Sequence, residues 1–107
     1  MANTDNLERL LASGQDNAML RFGLGKAYLD EGEPAKAAEH LRRAVDQDAD
    51  YSAAWKLLGR ALAKAEREVE ARAVYEEGIR VAEARGDIQA AKEMRVFLKR
   101  LGGTTSA

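Results

Sequence analysis

Apolar residues recur at three- and four-residue steps along most of this chain, which is the period of an amphipathic α-helix. The clearest stretch lies near the C-terminus, where the apolar positions are Ile88, Ala91, Met94, Leu98 and Leu101. Residues that favour helices dominate from end to end, whereas aromatic and β-branched residues are sparse and scattered. The pattern therefore predicts an all-α protein.

Glycine, proline and acidic residues divide this pattern into about six predicted helices. The expected helices cover residues 5–14, 16–31, 34–46, 50–64, 68–84 and 87–101. The residues expected to cap helix N-termini are Asp5, Asp16, Asp50 and Asp87. Gly86 is expected to end the fifth helix, because glycine readily adopts the left-handed conformation that closes helices. Residues 104–107 are expected to form a frayed tail.

The chain matches itself when it is shifted by 34 residues. Identical pairs under this shift are Leu24 and Leu58, Gly25 and Gly59, Ala27 and Ala61, and Ala37 and Ala71. Between them, residues of similar size and polarity fall on one another, as with Val45 and Ile79. Self-similarity at one fixed spacing is typical of repeat architectures, so we expect stacked helical units.

The repeated residues resemble the tetratricopeptide repeat, a helix-turn-helix unit of about 34 residues with a Trp-x-x-Leu-Gly-x-x-Tyr stretch. Residues 52–85 carry Trp55, Leu58, Gly59, Ala71, Tyr75 and Gly78 at the family's positions. Residues 18–51 carry Leu24, Gly25, Tyr28, Ala37, Leu41 and Ala44, with Arg21 in the place of the tryptophan.

This resemblance implies a single domain over residues 1–107, folded as a right-handed α-solenoid of two helical hairpins. Residues 18–51 would form the first hairpin and residues 52–85 the second. A helix at residues 5–14 would cap one end and a helix at residues 87–101 the other, because a solenoid needs polar-faced caps at the ends of its stack.

Two glycines, Gly25 and Gly59, lie inside predicted helices, although glycine there costs about 1 kcal/mol relative to alanine. We expect them to permit close contact between the two helices of each hairpin. Their expected neighbours are the small residues of the returning helix, Ala37 and Ala44 in the first hairpin and Ala71 and Gly78 in the second. Trp55 is expected to cover the junction of the two hairpins.

Composition argues against several classes of function. Lys and Arg number 17 against 18 Asp and Glu, a balance unlike that of nucleic-acid binders that rely on a basic surface. There is no cysteine and His40 is the only histidine, so thiolate metal sites, cysteine nucleophiles and histidine relays lack their residues. His40 itself is interpreted as a surface histidine. We therefore predict no catalytic residue, no metal ligand, no cofactor and no enzymatic activity.

The first residues contain neither a basic stretch nor an apolar core, so they do not match a targeting segment. No apolar run approaches the roughly 20 residues that cross a bilayer. We expect a cytoplasmic protein without membrane association.

The resemblance also implies a concave groove lined by the first helix of each repeat. Its expected peptide-binding residues are Met19, Phe22, Gly23, Lys26, Lys56, Arg60 and Lys64. The four cations of this set are expected to be solvated, and they face one acidic residue, Asp30, which favours an acidic protein or peptide segment as the partner. The predicted function is a non-catalytic adaptor. The alternative is a structural module that associates with itself as a homo-oligomer.

Some family members grip the C-terminal carboxylates of chaperones through a Lys/Asn/Asn/Lys/Arg constellation. Here Phe22, Lys26 and Leu57 occupy three of its places. The sequence therefore does not predict that clamp.

Overall fold

The computed structural model of this protein describes the backbone of residues 2–103 and the side chains of residues 4–101. Its helices are α1 (Ala2–Ala12), α2 (Ala18–Asp30), α3 (Pro34–Gln47), α4 (Ser52–Lys64), α5 (Glu68–Arg85) and α6 (Ile88–Gly103). The described residues contain no strand, and the prediction of an all-α fold with about six helices is confirmed. The tail predicted at residues 104–107 lies outside the described residues.

The helices form a right-handed solenoid in which α2 packs on α3 and α4 packs on α5. At one end of the stack α1 packs on α2, and at the other end α6 packs on α5 and α4. Because α4 contacts both α2 and α6, these three helices lie side by side on one face, with α3 and α5 behind them. The candidate site is built on the face formed by α2, α4 and α6.

Two clusters of buried side chains hold the stack together. The first joins α3, α4 and α5 and includes the fully buried Leu41 and Leu58. The second joins α5 to α6 and includes Tyr75 and Met94. Trp55 packs against both clusters, and its indole Nε1 donates a hydrogen bond to the Ala49 carbonyl oxygen at 2.8 Å. Trp55 thus ties the connection between the hairpins to the core, in keeping with its predicted place.

The mid-helix glycines do allow close contact, but not with the predicted neighbours. A Cβ built on Gly25 would lie closer than 3.0 Å to the Leu41 side chain, and one built on Gly59 equally close to the Tyr75 ring. The prediction that small residues face these glycines is therefore wrong. Each glycine leaves room for a large side chain of the returning helix, because only a residue without a Cβ can lie against it at this distance.

Three of the four predicted N-caps are wrong. Helix α1 begins at Ala2, so Asp5 lies within its first turn. An N-cap adjoins the first helical residue, and Asp16 and Asp50 each stand one residue too early. Asn17 caps α2 instead, with its Oδ1 accepting a hydrogen bond from the Leu20 amide at 2.8 Å.

The predicted boundary between α5 and α6 is confirmed. Gly86 ends α5 with a left-handed φ of 78°. Asp87 then caps α6, since its carboxylate accepts a hydrogen bond from the Ala90 amide at 3.2 Å. The same carboxylate accepts one from the Ser52 hydroxyl at 2.6 Å, which holds the start of α6 against the start of α4. These hydrogen bonds, that of Ser52 first, lower the pKa of Asp87.

The prediction that His40 is a surface residue is wrong, because α1 and α2 cover it. Its side chain is only 14% exposed, and its Nε2 lies 3.7 Å from the Glu8 carboxylate on α1. Arg21 lies 3.0 Å from its Nδ1, and the Tyr28 ring stacks on the imidazole at 5.5 Å. The Tyr28 hydroxyl also donates to Glu8 at 2.5 Å. This polar cluster holds the N-terminal helix on the first hairpin.

Stability is expected to fall as the pH drops below about 6.5, because burial lowers the pKa of His40 from its usual value of 6.5. In this range the unfolded chain binds a proton that the folded protein does not, so protonation favours unfolding until the lower, folded pKa is passed. Urea denaturation between neutral and mildly acidic pH measures the effect. His40→Gln keeps hydrogen-bonding groups but cannot titrate, and an equally steep pH dependence in that variant would show that His40 is not its source.

Candidate functional site

The face formed by α2, α4 and α6 carries two neighbouring depressions. The first, of about 290 Å³, lies between α2 and α4. Its lining residues are Lys26, Leu29, Asp30, Leu57, Arg60 and Lys64. Three of the predicted site residues, Lys26, Arg60 and Lys64, therefore come together from the two repeats. Two leucines lie among them and give this basic surface an apolar component.

The charges of this first depression are only partly compensated. Lys26 Nζ lies 3.9 Å from the Asp30 carboxylate, and both side chains are exposed, so solvent screens this pair. Arg60 and Lys64 form no ion pair with any of residues 4–101. The surface between α2 and α4 therefore presents an excess of positive charge.

Lys56 does not join these cations. Its Nζ lies 2.5 Å from the Glu93 carboxylate of α6, and its side chain is 29% exposed. The expectation that Lys56 is a solvated cation is therefore wrong. The hydrogen bond from Lys56 lowers the pKa of Glu93, so this carboxylate stays ionised at neutral pH. Lys56 fastens α6 to α4, and its charge is largely offset.

The three remaining predicted site residues, all on α2, lie apart from this basic surface. Phe22 is half-buried, with its ring centroid 5.0 Å from that of Tyr51. Gly23 faces α1, where an added Cβ would lie 3.8 Å from Leu7. Met19 is 76% exposed. Gly23 belongs to a separate depression of about 300 Å³ between α1 and α2, which Lys26 also lines.

The second depression, which we call the α4–α6 pocket, was not predicted from the sequence. It measures about 270 Å³, and its lining residues are Arg60, Ala63, Lys64, Tyr75, Phe97, Arg100 and Leu101. The guanidinium of Arg60 lies 5.7 Å from the centroid of the Phe97 ring, and that of Arg100 lies 5.9 Å from it, both within cation–π range. The available signal was the surplus of apolar residues on α6, where Phe97 stands beside the main apolar stripe.

Other kinds of site were also considered for the described residues. Residues 4–101 contain no group of three or more His, Asp or Glu side chains placed to hold a metal ion. None of the described helices is both long enough and apolar enough to cross a membrane. The carboxyls with lowered pKa values, Asp16, Asp87 and Glu93, owe them first to hydrogen bonds from Arg21, Ser52 and Lys56 respectively. These bonds join helices, so the shifts reflect structural contacts.

Comparison with known proteins relates the whole chain to one family. The family described as Tetratricopeptide repeat matches residues 5–52 and 25–88. A tetratricopeptide-repeat-containing protein of Pseudomonas aeruginosa is 56% identical over 97 residues, which are 91% of this chain and 92% of that protein.

Solved structures show the same similarity in three dimensions. A Bordetella parapertussis protein with a structure determined in solution superposes with a TM-score of 0.84 at 45% identity, over 97% of this chain and 90% of that one. The tetratricopeptide repeat domain of Sgt2 from Aspergillus fumigatus superposes with a TM-score of 0.80 at 28% identity, over 94% of this chain and 64% of that one.

Proposed function

Since this chain belongs to the tetratricopeptide repeat family, we propose that it is a non-catalytic adaptor that binds an acidic protein or peptide segment. The fold of this family generally mediates protein–protein interaction, and its members are typically non-catalytic adaptors. The binding surface is the face formed by α2, α4 and α6. An extended or helical segment would lie across these three helices.

The observation that carries this proposal is the uncompensated positive charge on an apolar floor. Arg60, Lys64 and Arg100 form no ion pair within residues 4–101, and Leu57 and Phe97 lie beside them. Exposed cations of this kind attract an acidic partner and select its register, while apolar contact supplies much of the affinity. An acidic segment with interspersed apolar residues matches both features.

The other predicted site residues have different parts in this proposal. Lys26, on α2, extends the basic surface toward the first hairpin. Lys56 acts through Glu93, by keeping α6 in place. Met19, Phe22 and Gly23 would contact only a segment long enough to reach the start of α2.

Reversing the charge of two groove cations, Arg60→Glu with Lys64→Glu, is expected to weaken binding of acidic segments at least about tenfold. Stability should change by no more than about 0.5 kcal/mol, because both side chains are exposed and unpaired within the described residues. The measurement is quantitative capture from extracts of the source organism, followed by titration of the captured segments at low and high salt. High salt should weaken binding to the unchanged protein, because exposed charges are screened within about 8 Å at physiological ionic strength.

The matched control reverses two cations on α3, behind the groove: Arg42→Glu with Arg43→Glu. This variant undergoes the same change in net charge, so a general electrostatic effect would appear in both. We expect it to bind as the unchanged protein does. Loss of binding in the α3 variant, with binding retained in the groove variant, would place the partner on the opposite face and end the groove proposal.

The alternative function, self-association as a homo-oligomer, has one observation in its favour. Ile88 and Val96 of the terminal helix α6 are 55% and 48% exposed, so this helix keeps apolar surface outside the core. Size-exclusion chromatography with light scattering separates the two functions. A monomer at micromolar concentration argues against self-association, whereas a stable oligomer that Val96→Glu dissociates would favour it.

A further inference from the structure

The α4–α6 pocket differs chemically from the rest of the groove. Its floor is apolar, formed by Phe97, Leu101 and the Tyr75 side chain. Its volume of about 270 Å³ lies just below the lower bound of about 300 Å³ for small-molecule sites. A space of this size suits one side chain of a partner better than a whole cofactor.

The polar groups of the pocket are cations and one hydroxyl, and no carboxylate lines it. Arg60, Lys64 and Arg100 are exposed and form no ion pair within residues 4–101. Tyr75 is 2% exposed, and its hydroxyl has no hydrogen-bond partner among those residues. Burial raises the pKa of Tyr75 to about 12, so the hydroxyl keeps its proton and can donate it in a hydrogen bond. Every charged group of the pocket therefore suits an anionic ligand.

We propose that the α4–α6 pocket is the anchor of the binding surface and holds one large apolar side chain of an internal partner segment whose neighbouring residues are Asp or Glu. The inference rests on the proposed function and specifies which residue pattern the partner carries. The apolar side chain packs on the Phe97 ring. The flanking carboxylates pair with Arg60 and Lys64 on α4 and with Arg100 on α6.

The number and placement of the cations favour an internal segment over a chain terminus. Three cations stand on two different helices around one apolar floor. A C-terminal residue brings a single α-carboxylate, which can neutralise one of these sites. Two acidic side chains, one on each side of an apolar residue, supply a carboxylate to each helix. Charge matching therefore selects the internal acidic–apolar–acidic pattern.

The test uses labelled peptides with acetylated and amidated ends, so that only side chains carry charge. The probe contains Asp-Glu-Leu-Glu-Asp. One comparison peptide replaces the Leu with Ser, and the other replaces the acids with Asn and Gln. Fluorescence anisotropy with the full-length protein should show binding of the probe, and each comparison peptide should bind at least about tenfold more weakly.

Two variants of adjacent residues locate the site. Arg100→Glu should weaken binding of the probe at least about tenfold. Lys99→Glu is the matched control, because Lys99 is exposed on the same helix and does not line the pocket. It should leave the affinity within about twofold, as expected for screened charge away from the contact. Tyr75→Phe keeps the ring and removes only the hydroxyl, and it should weaken binding with a smaller effect than Arg100→Glu.

Equal effects of Arg100→Glu and Lys99→Glu would overturn the proposal, and so would equal binding of the Leu and Ser peptides. A probe that binds only when its carboxyl terminus is free would overturn the internal pattern. The failure of the proposed function looks different. If captured partners are lost with Arg60→Glu and Lys64→Glu but not with Arg100→Glu, the adaptor function stands and the α4–α6 anchor is wrong.

Discussion

Deleting residues 87–107 is expected to lower the free energy of unfolding by at least about 3 kcal/mol and to cause aggregation. The deletion removes the buried side chains of Ala90, Ala91 and Met94, which cover α5. It leaves Tyr75 in contact with water and removes the hydrogen bond between Asp87 and Ser52. Urea denaturation followed by circular dichroism measures the loss, and light scattering measures the aggregation.

A deletion of residues 104–107 is the matched control for this prediction. It shortens the chain without removing any contact among the described residues, and it should leave the unfolding midpoint unchanged. If the protein without residues 87–107 stays monomeric and equally stable, then α6 is an appendage and not a cap of the solenoid.

Gly59→Leu is expected to destabilise the protein by about 1 to 3 kcal/mol, although leucine favours the helix more than glycine does. Even its Cβ would lie closer than 3.0 Å to carbon atoms of the Tyr75 ring. Tyr75 is fully enclosed between α4, α5 and α6, so its ring cannot move without disturbing the second cluster. Chemical denaturation of the two proteins side by side measures the difference.

Gly23→Ala provides the contrasting control on the equivalent helix of the first repeat. Its added Cβ would lie 3.8 Å from Leu7, which is ordinary van der Waals contact. The gain in helix propensity of up to about 1 kcal/mol should therefore leave Gly23→Ala neutral or slightly stabilising. Unchanged stability in Gly59→Leu would refute the close-contact argument for the mid-helix glycines.

The fold could be predicted because its main determinants are periodic in the sequence. Repeated Leu-Gly pairs and helix-breaking residues mark the units, and the shift of 34 residues reveals their order. The neighbours of Gly25 and Gly59 could not be predicted in the same way. Which residue lies opposite a glycine depends on the crossing of two helices, and that geometry places the large residues Leu41 and Tyr75 there.

The burial of His40 escaped prediction because it depends on α1, whose contacts with the first hairpin are mainly polar. Glu8 reaches both His40 and Tyr28, and Arg21 lies between Asp16 and His40. Such contacts join residues far apart in the chain and leave no periodic pattern. A single histidine beside charged residues is indistinguishable in sequence from a solvated one.

The candidate site was predictable on α2 and α4 but not on α6. Helix α4 begins at Ser52, 34 residues after the start of α2, whereas α6 begins at Ile88, 36 residues after Ser52. The repeat spacing therefore does not assign α6 residues to groove positions. As a result, Glu93 was not expected opposite Lys56, and Phe97 and Arg100 were not expected beside Arg60.

The most direct test of the proposed function is to map where an acidic segment binds. Nuclear magnetic resonance spectra of the uniformly ¹⁵N-labelled protein, recorded while the amidated acidic peptide is added, report on each backbone amide. We predict that the largest shifts occur at Lys26, Leu57, Arg60, Lys64 and Arg100, and that they shrink when salt is added. Shifts confined to α3 and α5, with these five amides unmoved, would contradict the account.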